Sequence, residues 1–146
     1  MPSFLPDTTC MVAFVCGWHP DHERSTKEIG ARLSRGETLV IAAPALVESY
    51  SVLTRLPVPY RTSAADALFL LEANFMKQAE VVSLKAGDYV SLLRSAPTGG
   101  VAGGQIYDAV IVECALRAGV AVLLTLNERH FRAFQPRRLK VMVPGR

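Results

Sequence analysis

The stretch IYDAVIVECALRAGVAVLLTL, residues 106–126, contains the pattern that decides the fold class. Apolar residues recur with helical spacing over residues 106–118, and Gly119 follows as a residue suited to a left-handed helix end. Residues 121–126 then form a short apolar run, which is typical of a buried parallel strand. A helix that leads directly into such a strand is half of a βαβ unit. This stretch therefore predicts an α/β fold with a parallel sheet.

The same alternation continues outward in both directions. Four further apolar runs have strand length and cover residues 4–5, 39–42, 81–82 and 139–143. Helical patterns lie between them at residues 21–35, at residues 45–56, and from a capping box at Ser63 through Phe75. Ser83 is placed to cap another helix, with Ala86, Val90 and Leu93 on one stripe. Residues 1–146 are therefore predicted to be a single three-layer α/β/α domain around a mostly parallel five-stranded sheet.

Composition and cysteine content exclude several classes of protein. Half of the 146 residues are hydrophobic and 20% are charged, which indicates an ordinary globular domain rather than a disordered or fibrous chain. The first residues lack a basic segment followed by a long apolar one, and no stretch is long enough to span a bilayer. We therefore expect a cytoplasmic protein with no membrane partner. Cys10, Cys16 and Cys114 form neither a CxxC pair nor an even set, and we expect them to be reduced core thiols.

Positive charge is concentrated at the end of the chain. The formal net charge is only +3, but no acid follows Glu128, whereas six basic residues do: Arg129, Arg132, Arg137, Arg138, Lys140 and Arg146. Such a segment could face the phosphates of a nucleic acid. A solvated basic surface explains this segment equally well.

Four acids closely follow a predicted strand or lie near the start of a predicted helix. Asp7 directly follows the first strand, Glu48 lies in the helix after the second, Asp108 opens the helix before the fourth, and Glu128 follows that strand. In an open parallel sheet the carboxyl ends of the strands and the helix N-termini converge on one crevice. We therefore expect these acids to gather at a single edge of the sheet.

Three of these acids, Asp7, Glu48 and Asp108, have mostly apolar neighbours in the sequence. A buried ionised carboxylate costs several kcal/mol unless it is paired or bound to a cation. Arg55, two helical turns after Glu48, could pair with one of them but not with all three. Asp108 has the further alternative of being an acid favoured at a helix start. Together the three acids offer hard oxygen ligands suited to Mg²⁺ or Mn²⁺.

Five segments of the chain carry a resemblance to a known family, and they span nearly its whole length. They are Leu5-Pro6-Asp7-Thr8-Thr9, His19-Pro20-Asp21-His22, Pro44-Ala45-Leu46-Val47-Glu48 with Leu53-Thr54-Arg55, Ile106-Tyr107-Asp108-Ala109, and Leu124-Thr125-Leu126-Asn127 with Phe131. In order and spacing they resemble the PIN-domain ribonucleases, and within them the VapC-type toxins of toxin–antitoxin pairs. The resemblance implies a metal-dependent endoribonuclease that uses a metal-activated water.

The resemblance also assigns roles to residues. It implies that Asp7, Glu48 and Asp108 are catalytic acids that bind the metal, with Asp7 and Asp108 as its principal ligands. The family often supplies a fourth acid after the fourth strand, but this chain has Asn127 and His130 there, with Glu128 expected to point elsewhere. Asn127 could orient a metal-bound water or donate to a carboxylate. Four residues are expected to contact the substrate: Thr8, Arg55, Arg129 and His130.

The partners that the resemblance implies are RNA, a second copy of the chain, and a VapB-type antitoxin whose C-terminal segment covers the active-site groove. Two other functions stay open. A catalytically weak module would bind RNA or the antitoxin without efficient cutting, since Asn127 replaces an acid. A phosphatase with Asp7 as nucleophile is disfavoured, because Thr9 stands where the best-known enzymes of that kind have a second aspartate.

Several other features are open to more than one interpretation. His19 and His22 suggest zinc, but a helix start with Pro20 in its first turn is the better explanation. Residues 99–104 form a glycine-rich loop without the lysine of a P-loop, and we expect this loop to border the groove. Thr8 and Thr9 could bind a carboxylate or simply cap a helix. We expect Glu113 to lie on a different helix face from Asp108, and Trp18 to pack in the core.

Overall fold

A computed structural model describes residues 2–132, 134 and 138–145 of the chain. Its five strands form one sheet in the order β3-β2-β1-β4-β5, and all four pairings between neighbours are parallel. The strands are β1 (Ser3–Pro6), β2 (Thr38–Ala42), β3 (Glu80–Val82), β4 (Val122–Leu124) and β5 (Lys140–Met142). The predicted parallel five-stranded sheet is confirmed. β4 and β5 are shorter than predicted, although the Thr125 N–H still donates to the Met142 carbonyl at 3.0 Å.

Helices connect every pair of consecutive strands. Within the described residues they are α1 (Thr8–Val15), α2 (His22–Ser34), α3 (Ala43–Arg55), α4 (Ala64–Leu71), α5 (Ala86–Ser95), α6 (Gln105–Arg117) and α7 (Glu128–Arg132). A π-helical turn, Glu72–Met76, extends α4. No helix in this part of the chain combines the length and hydrophobicity needed to cross a membrane.

The strand order creates a switch point between β1 and β4. The first connections lead from β1 to β2 and on to β3, whereas the later ones lead to β4 and β5 on the other side of β1. Because crossovers between parallel strands are right-handed, the two sets of helices lie on opposite faces of the sheet, as a three-layer α/β/α domain requires. Ligands of open α/β sheets bind beyond the strand ends at such a point. We therefore expect a functional site at the residues that follow β1 and β4.

The core is built on the two central strands. Phe4, Leu5, Leu123 and Leu124 are fully buried, as near-continuous apolar runs in parallel strands should be. The three cysteines are also buried and form no disulfide, which confirms the prediction of core thiols. Trp18, predicted to lie in the core, is instead 46% exposed and packs against Tyr60 with ring centroids 4.5 Å apart.

Two predicted helix caps are present and one is wrong. Ser63 Oγ accepts the Asp66 N–H at 3.1 Å at the start of α4, and Gly119 ends α6 with φ 68°. Ser83 does not cap α5, which begins at Ala86. Lys85 is the N-cap instead, and the Asp88 Oδ2 accepts its N–H at 3.0 Å.

The apolar stripe predicted on α5 is present but does not enter the core. Ala86, Val90 and Leu93 are all exposed, and α5 has no buried residue in the structure. The stripe therefore contributes apolar surface rather than core packing. Leu93 lines a groove between α3, α5 and α6.

Candidate active site

Asp7 is the most buried acid of the described chain and lies at the switch point. It ends the turn from β1 into α1 and caps that helix, with its Oδ1 accepting the Cys10 N–H at 3.0 Å. Thr9 Oγ1 also donates to Oδ1 at 2.6 Å, and Thr125 Oγ1 donates to Oδ2 at 2.6 Å. Asp7 is only 2% exposed. Three hydrogen bonds thus hold the carboxylate between the ends of β1 and β4.

Both threonines that hold Asp7 are themselves held by the turn after β4. Thr9 Oγ1 accepts the Leu126 N–H at 3.0 Å, and Thr125 Oγ1 accepts the Asn127 N–H at 2.9 Å. With these acceptor bonds in place, each hydroxyl directs its proton at Asp7. The position of the Asp7 carboxylate is therefore coupled to the backbone of residues 125–127.

The buried environment of Asp7 makes its ionised form energetically unfavourable. Burial raises the pKa of Asp7 from 3.8 to about 6, although the hydrogen bonds from Thr125, Thr9 and Cys10 oppose the rise. The negative charge of Asp108 raises this pKa further. No Arg, Lys or His within the described residues forms an ion pair with Asp7.

Asp108 lies in the first turn of α6 and is more accessible, with 21% of its side chain exposed. Desolvation raises the pKa of Asp108, and the negative charge of Glu48 on α3 raises it as well, whereas His130 lowers it. The His130 Nδ1 lies 3.5 Å from the Asp108 Oδ2. Electrostatic interactions thus link Asp7 to Asp108 and Asp108 to Glu48.

The donor set of this edge fits a hard divalent cation. A carboxylate has about four acceptor positions, and three on Asp7 are filled by hydrogen bonds, so Oδ2 keeps about one for a cation. No three His, Cys, Asp or Glu side chains of residues 2–132, 134 and 138–145 form a ready metal cluster. Mg²⁺ does not need one, since it is commonly held by one or two carboxylates with water and phosphate oxygens. Asp7 and Asp108 are the pair that could provide such ligands.

An apolar groove of about 900 Å³ lies on one side of the acids, between α3, α5 and α6. Glu48 and Arg55 line it together with exposed apolar side chains, of which Val47 is 73%, Leu93 59% and Tyr107 64% exposed. Of the three acids Glu48 alone lines the groove, and most of its other lining residues are apolar. The described part of the chain has no ion pair between Glu48 and Arg55, so Arg55 does not neutralise that acid.

A second, polar pocket of about 540 Å³ lies between α2, α7 and β5. We call it the basic pocket, and its polar lining residues are Arg24, Asn127, Glu128, Arg129, His130 and Arg132. Since His130 also lies beside Asp108, this pocket borders the acids as well. Two of the predicted substrate contacts, Arg129 and His130, are found here. Arg137 and Arg146 of the predicted basic segment lie outside the described residues.

Most of the other residues singled out in the sequence bond to neighbouring groups of the protein. Glu128 forms an ion pair with Arg132 at 3.1 Å, and Glu113 forms one with Arg117 at 2.8 Å. The His19 Nδ1 accepts the Asp21 N–H at 3.0 Å, which agrees with a helix start rather than zinc. Thr8 is buried beside Asp7, and its Oγ1 has no hydrogen-bond partner among the described residues.

Thr125 is the residue of the candidate site that sequence reasoning missed, and Thr9 was left with two possible roles. Thr125 is fully buried and bonds directly to Asp7. A polar residue at the end of an otherwise apolar strand was the available signal, because a buried hydroxyl requires a partner. The partner could not be named from the sequence, since Asp7 lies 118 residues away along the chain.

The sequence and the fold match a known class of domain. The PIN domain family model matches residues 4–135. Ribonuclease VapC40 of Mycobacterium tuberculosis (strain CDC 1551 / Oshkosh) is 36% identical over 137 residues, which cover 93% of this chain and 95% of that protein. The chain therefore belongs to the PIN-domain family, among its VapC-type members.

Solved structures agree on the fold. VapC20 of Mycobacterium tuberculosis, described as a Sarcin-Ricin loop cleaving toxin, superposes with a TM-score of 0.69 at 14% identity, covering 90% of this chain and 95% of that chain. The DNA-bound VapBC of Salmonella typhimurium gives a TM-score of 0.68 at 20% identity, covering 98% of each chain. At these identities the likeness concerns the fold alone.

Proposed function

We propose that this protein is a metal-dependent endoribonuclease and the toxin of a type II toxin–antitoxin pair. The observation that carries the proposal is the coupling of Asp7, Asp108 and Glu48 at the switch point, where no basic side chain of the described chain neutralises Asp7. The similarity to Ribonuclease VapC40 supports RNA as the substrate.

Asp7 and Asp108 would hold Mg²⁺ or Mn²⁺, with Glu48 adding negative charge to the site. When bound, such a cation supplies Lewis acidity, which makes water nucleophilic near neutral pH and offsets the charge of the scissile phosphate. The protein's own residues do the positioning. Thr9 and Thr125 fix the Asp7 carboxylate, and Asn127 and His130 border the space beside Asp108 where a phosphate would lie.

The antitoxin would lie in the apolar groove. The groove has three exposed apolar side chains, Val47, Leu93 and Tyr107, and these suit the apolar residues of a peptide segment. Glu48, which lines the groove and forms no ion pair within the described residues, suits a basic side chain on the same segment. The VapBC complexes among the structural neighbours make such a partner a natural expectation.

A homodimer stays a prediction, and Leu68 and Phe69 on α4 offer it exposed apolar surface.

The direct test is cleavage of total cellular RNA by the purified, antitoxin-free protein with Mg²⁺ or Mn²⁺, and with a chelator. Discrete products that appear only with metal, and that Asp108→Asn abolishes, are the expected result. Intact RNA from a folded wild-type protein in every condition would overturn the proposal. Mapped product ends would then define the target.

A second candidate function is a catalytically weak module that binds RNA or an antitoxin. It is favoured by one feature, the neutral amide of Asn127 beside the acids. If it is correct, the wild type binds RNA but cuts it poorly, and Asn127→Asp raises metal affinity and switches on cutting. Efficient cutting by the wild type would exclude it.

A further inference from the structure

The basic pocket differs in character from the apolar groove on the other side of the acids. Three guanidinium groups line it, Arg24, Arg129 and Arg132, against the single carboxylate of Glu128. Arg24 comes from α2, which is distant in sequence from the α7 segment that supplies the others. The fold therefore gathers positive charge from two separate elements at one place beside the active-site edge.

Arg24 is held in a fixed position rather than extended into solvent. Its Nε donates to the Asp21 Oδ1 at 2.8 Å in an ion pair that partly offsets its charge, and its Nη1 donates to the Pro144 carbonyl at 3.3 Å. Only 38% of its side chain is exposed. A guanidinium has five N–H donors, so these two bonds leave three for another acceptor. A planar guanidinium whose orientation is already fixed is well suited to a phosphate.

The other two guanidinium groups lie at the rim of the same pocket. Arg132 is paired with Glu128 at 3.1 Å, which partly offsets its charge. Arg129 is exposed, and it forms no ion pair within the described residues. Asn127 and His130 also line the pocket, and His130 contacts Asp108 as well. The basic pocket is therefore adjacent to the acids.

We infer that the basic pocket is a subsite for an RNA backbone phosphate next to the scissile one, with Arg24 as its fixed anchor and Arg129 as its second cation. The inference rests on the proposed ribonuclease function and deepens it. The RNA strand would cross the acids with a flanking phosphate in the basic pocket. Direct contacts to phosphate contribute affinity without reading sequence, so this subsite would set the position of the strand rather than the target sequence.

The test is binding of a fluorescent single-stranded RNA in chelator, which prevents cutting, at several salt concentrations. Arg24→Gln should weaken binding about five- to tenfold at low salt. It should also make the slope of log K against log salt shallower by about 0.7, the change expected when one phosphate contact to a single strand is lost. Arg129→Gln should act in the same direction.

Two variants serve as matched controls. Arg35→Gln removes the same charge at the other end of α2, roughly 16 Å away along the helix, where Arg35 pairs with Glu37. Asp21→Asn breaks the Arg24 ion pair but keeps the cation. Neither should change the salt slope, whereas a purely structural role of Arg24 would make Asp21→Asn resemble Arg24→Gln.

The outcomes separate this inference from the proposed function. Wild-type protein that cuts RNA, together with Arg24→Gln and Arg129→Gln variants of unchanged slope, would overturn the phosphate subsite alone. Wild-type protein that neither binds nor cuts RNA would overturn both. If Arg24→Gln does not fold, as judged by circular dichroism, the slope of the exposed Arg129→Gln variant decides.

Discussion

Asp7 and Asp108 carry the same chemical group at the same edge of the sheet, yet their surroundings differ. Asp7 is fully enclosed and held by three hydrogen bonds from Thr9, Cys10 and Thr125. Asp108 is 21% exposed, and the exposed His130 lies beside it. Burial raises the pKa of both, most clearly that of Asp7. The comparison suggests one carboxylate that is fixed before any ligand arrives and one that can adjust to it.

The largest expected effect is the loss of RNA cleavage when either carboxylate becomes an amide. Asp7→Asn and Asp108→Asn should each reduce the cleavage rate on the order of 10²–10³-fold, as removal of one electrostatic group from an active site typically does. The initial rate on a defined RNA in Mg²⁺ measures this. Asp66→Asn, which changes an exposed acid on α4, is the matched control and should cut normally. A variant of Asp7 that keeps its rate would show that this acid is structural.

The same two substitutions should differ in their effect on stability. At pH 7.5 without metal, Asp7→Asn should increase the free energy of unfolding by on the order of 1–3 kcal/mol, because it removes a buried charge. The upper end corresponds to the pKa rise from 3.8 to about 6. An amide cannot accept as many hydrogen bonds as the carboxylate, which reduces the gain. Asp108→Asn should have a smaller effect, since Asp108 is partly solvated.

The pH dependence of this difference has a defined sign. Since the pKa of Asp7 is raised in the folded protein, its ionised form lowers stability as pH rises from about 4 to about 6. The gain from Asp7→Asn should therefore be nearly absent at pH 4 and complete at pH 7. Urea unfolding of both proteins across this range measures it. A gain that is independent of pH would mean that ionisation of Asp7 is not its cause.

Removal of the hydroxyl that connects Asp7 to the turn after β4 should have an intermediate effect. Thr125→Val removes a donor to Asp7 and the acceptor of the Asn127 N–H, so it should lower stability by about 1–3 kcal/mol at pH 7.5. It should also raise the pKa of Asp7 above 6. Thr54→Val, which removes an exposed helix hydroxyl bonded to the Tyr50 carbonyl, is the control. Equal destabilisation by the two variants would contradict a special role for Thr125.

The smallest effect is expected at His130. Its imidazole lies 3.5 Å from Asp108 but is 58% exposed, and exposed ion pairs contribute little. His130→Gln should leave the melting temperature within about 1 °C of the wild-type value and change cleavage by less than about tenfold. A larger loss of cleavage would mean that His130 takes part directly in the reaction.

The sequence was sufficient for most of the fold, because its elements have strong local signals. The parallel strands are apolar runs, and Ser63 and Gly119 mark helix ends by mechanisms that act within a few residues. Ser83 is not the helix cap because α5 begins at Ala86, which makes Lys85 the N-cap. The exposure of the α5 stripe was not predictable, since periodicity identifies a helix face but not what covers it.

Some residues of the candidate site could likewise be predicted from the sequence, and others could not. Asp7, Glu48 and Asp108 could be selected because they follow strand ends or open helices, and the structure couples them electrostatically. Thr125 and Arg24 could not be assigned, since their contacts to Asp7 and Pro144 join residues more than a hundred positions apart. Local patterns do not encode such contacts. The roles of Thr8, Arg55, Arg129 and His130 toward substrate stay predictions.

The central claim is that the acidic edge is built to be neutralised by a divalent cation, and carbon-13 NMR titration of the Asp7 and Asp108 carboxyl groups tests it most directly. Without metal, Asp7 should titrate near pH 6. Saturating Mg²⁺ should lower the pKa of both acids, because a bound cation favours their ionised forms. An Asp7 that titrates near its ordinary value without metal, or pKa values that do not respond to Mg²⁺ or Mn²⁺, would contradict the claim.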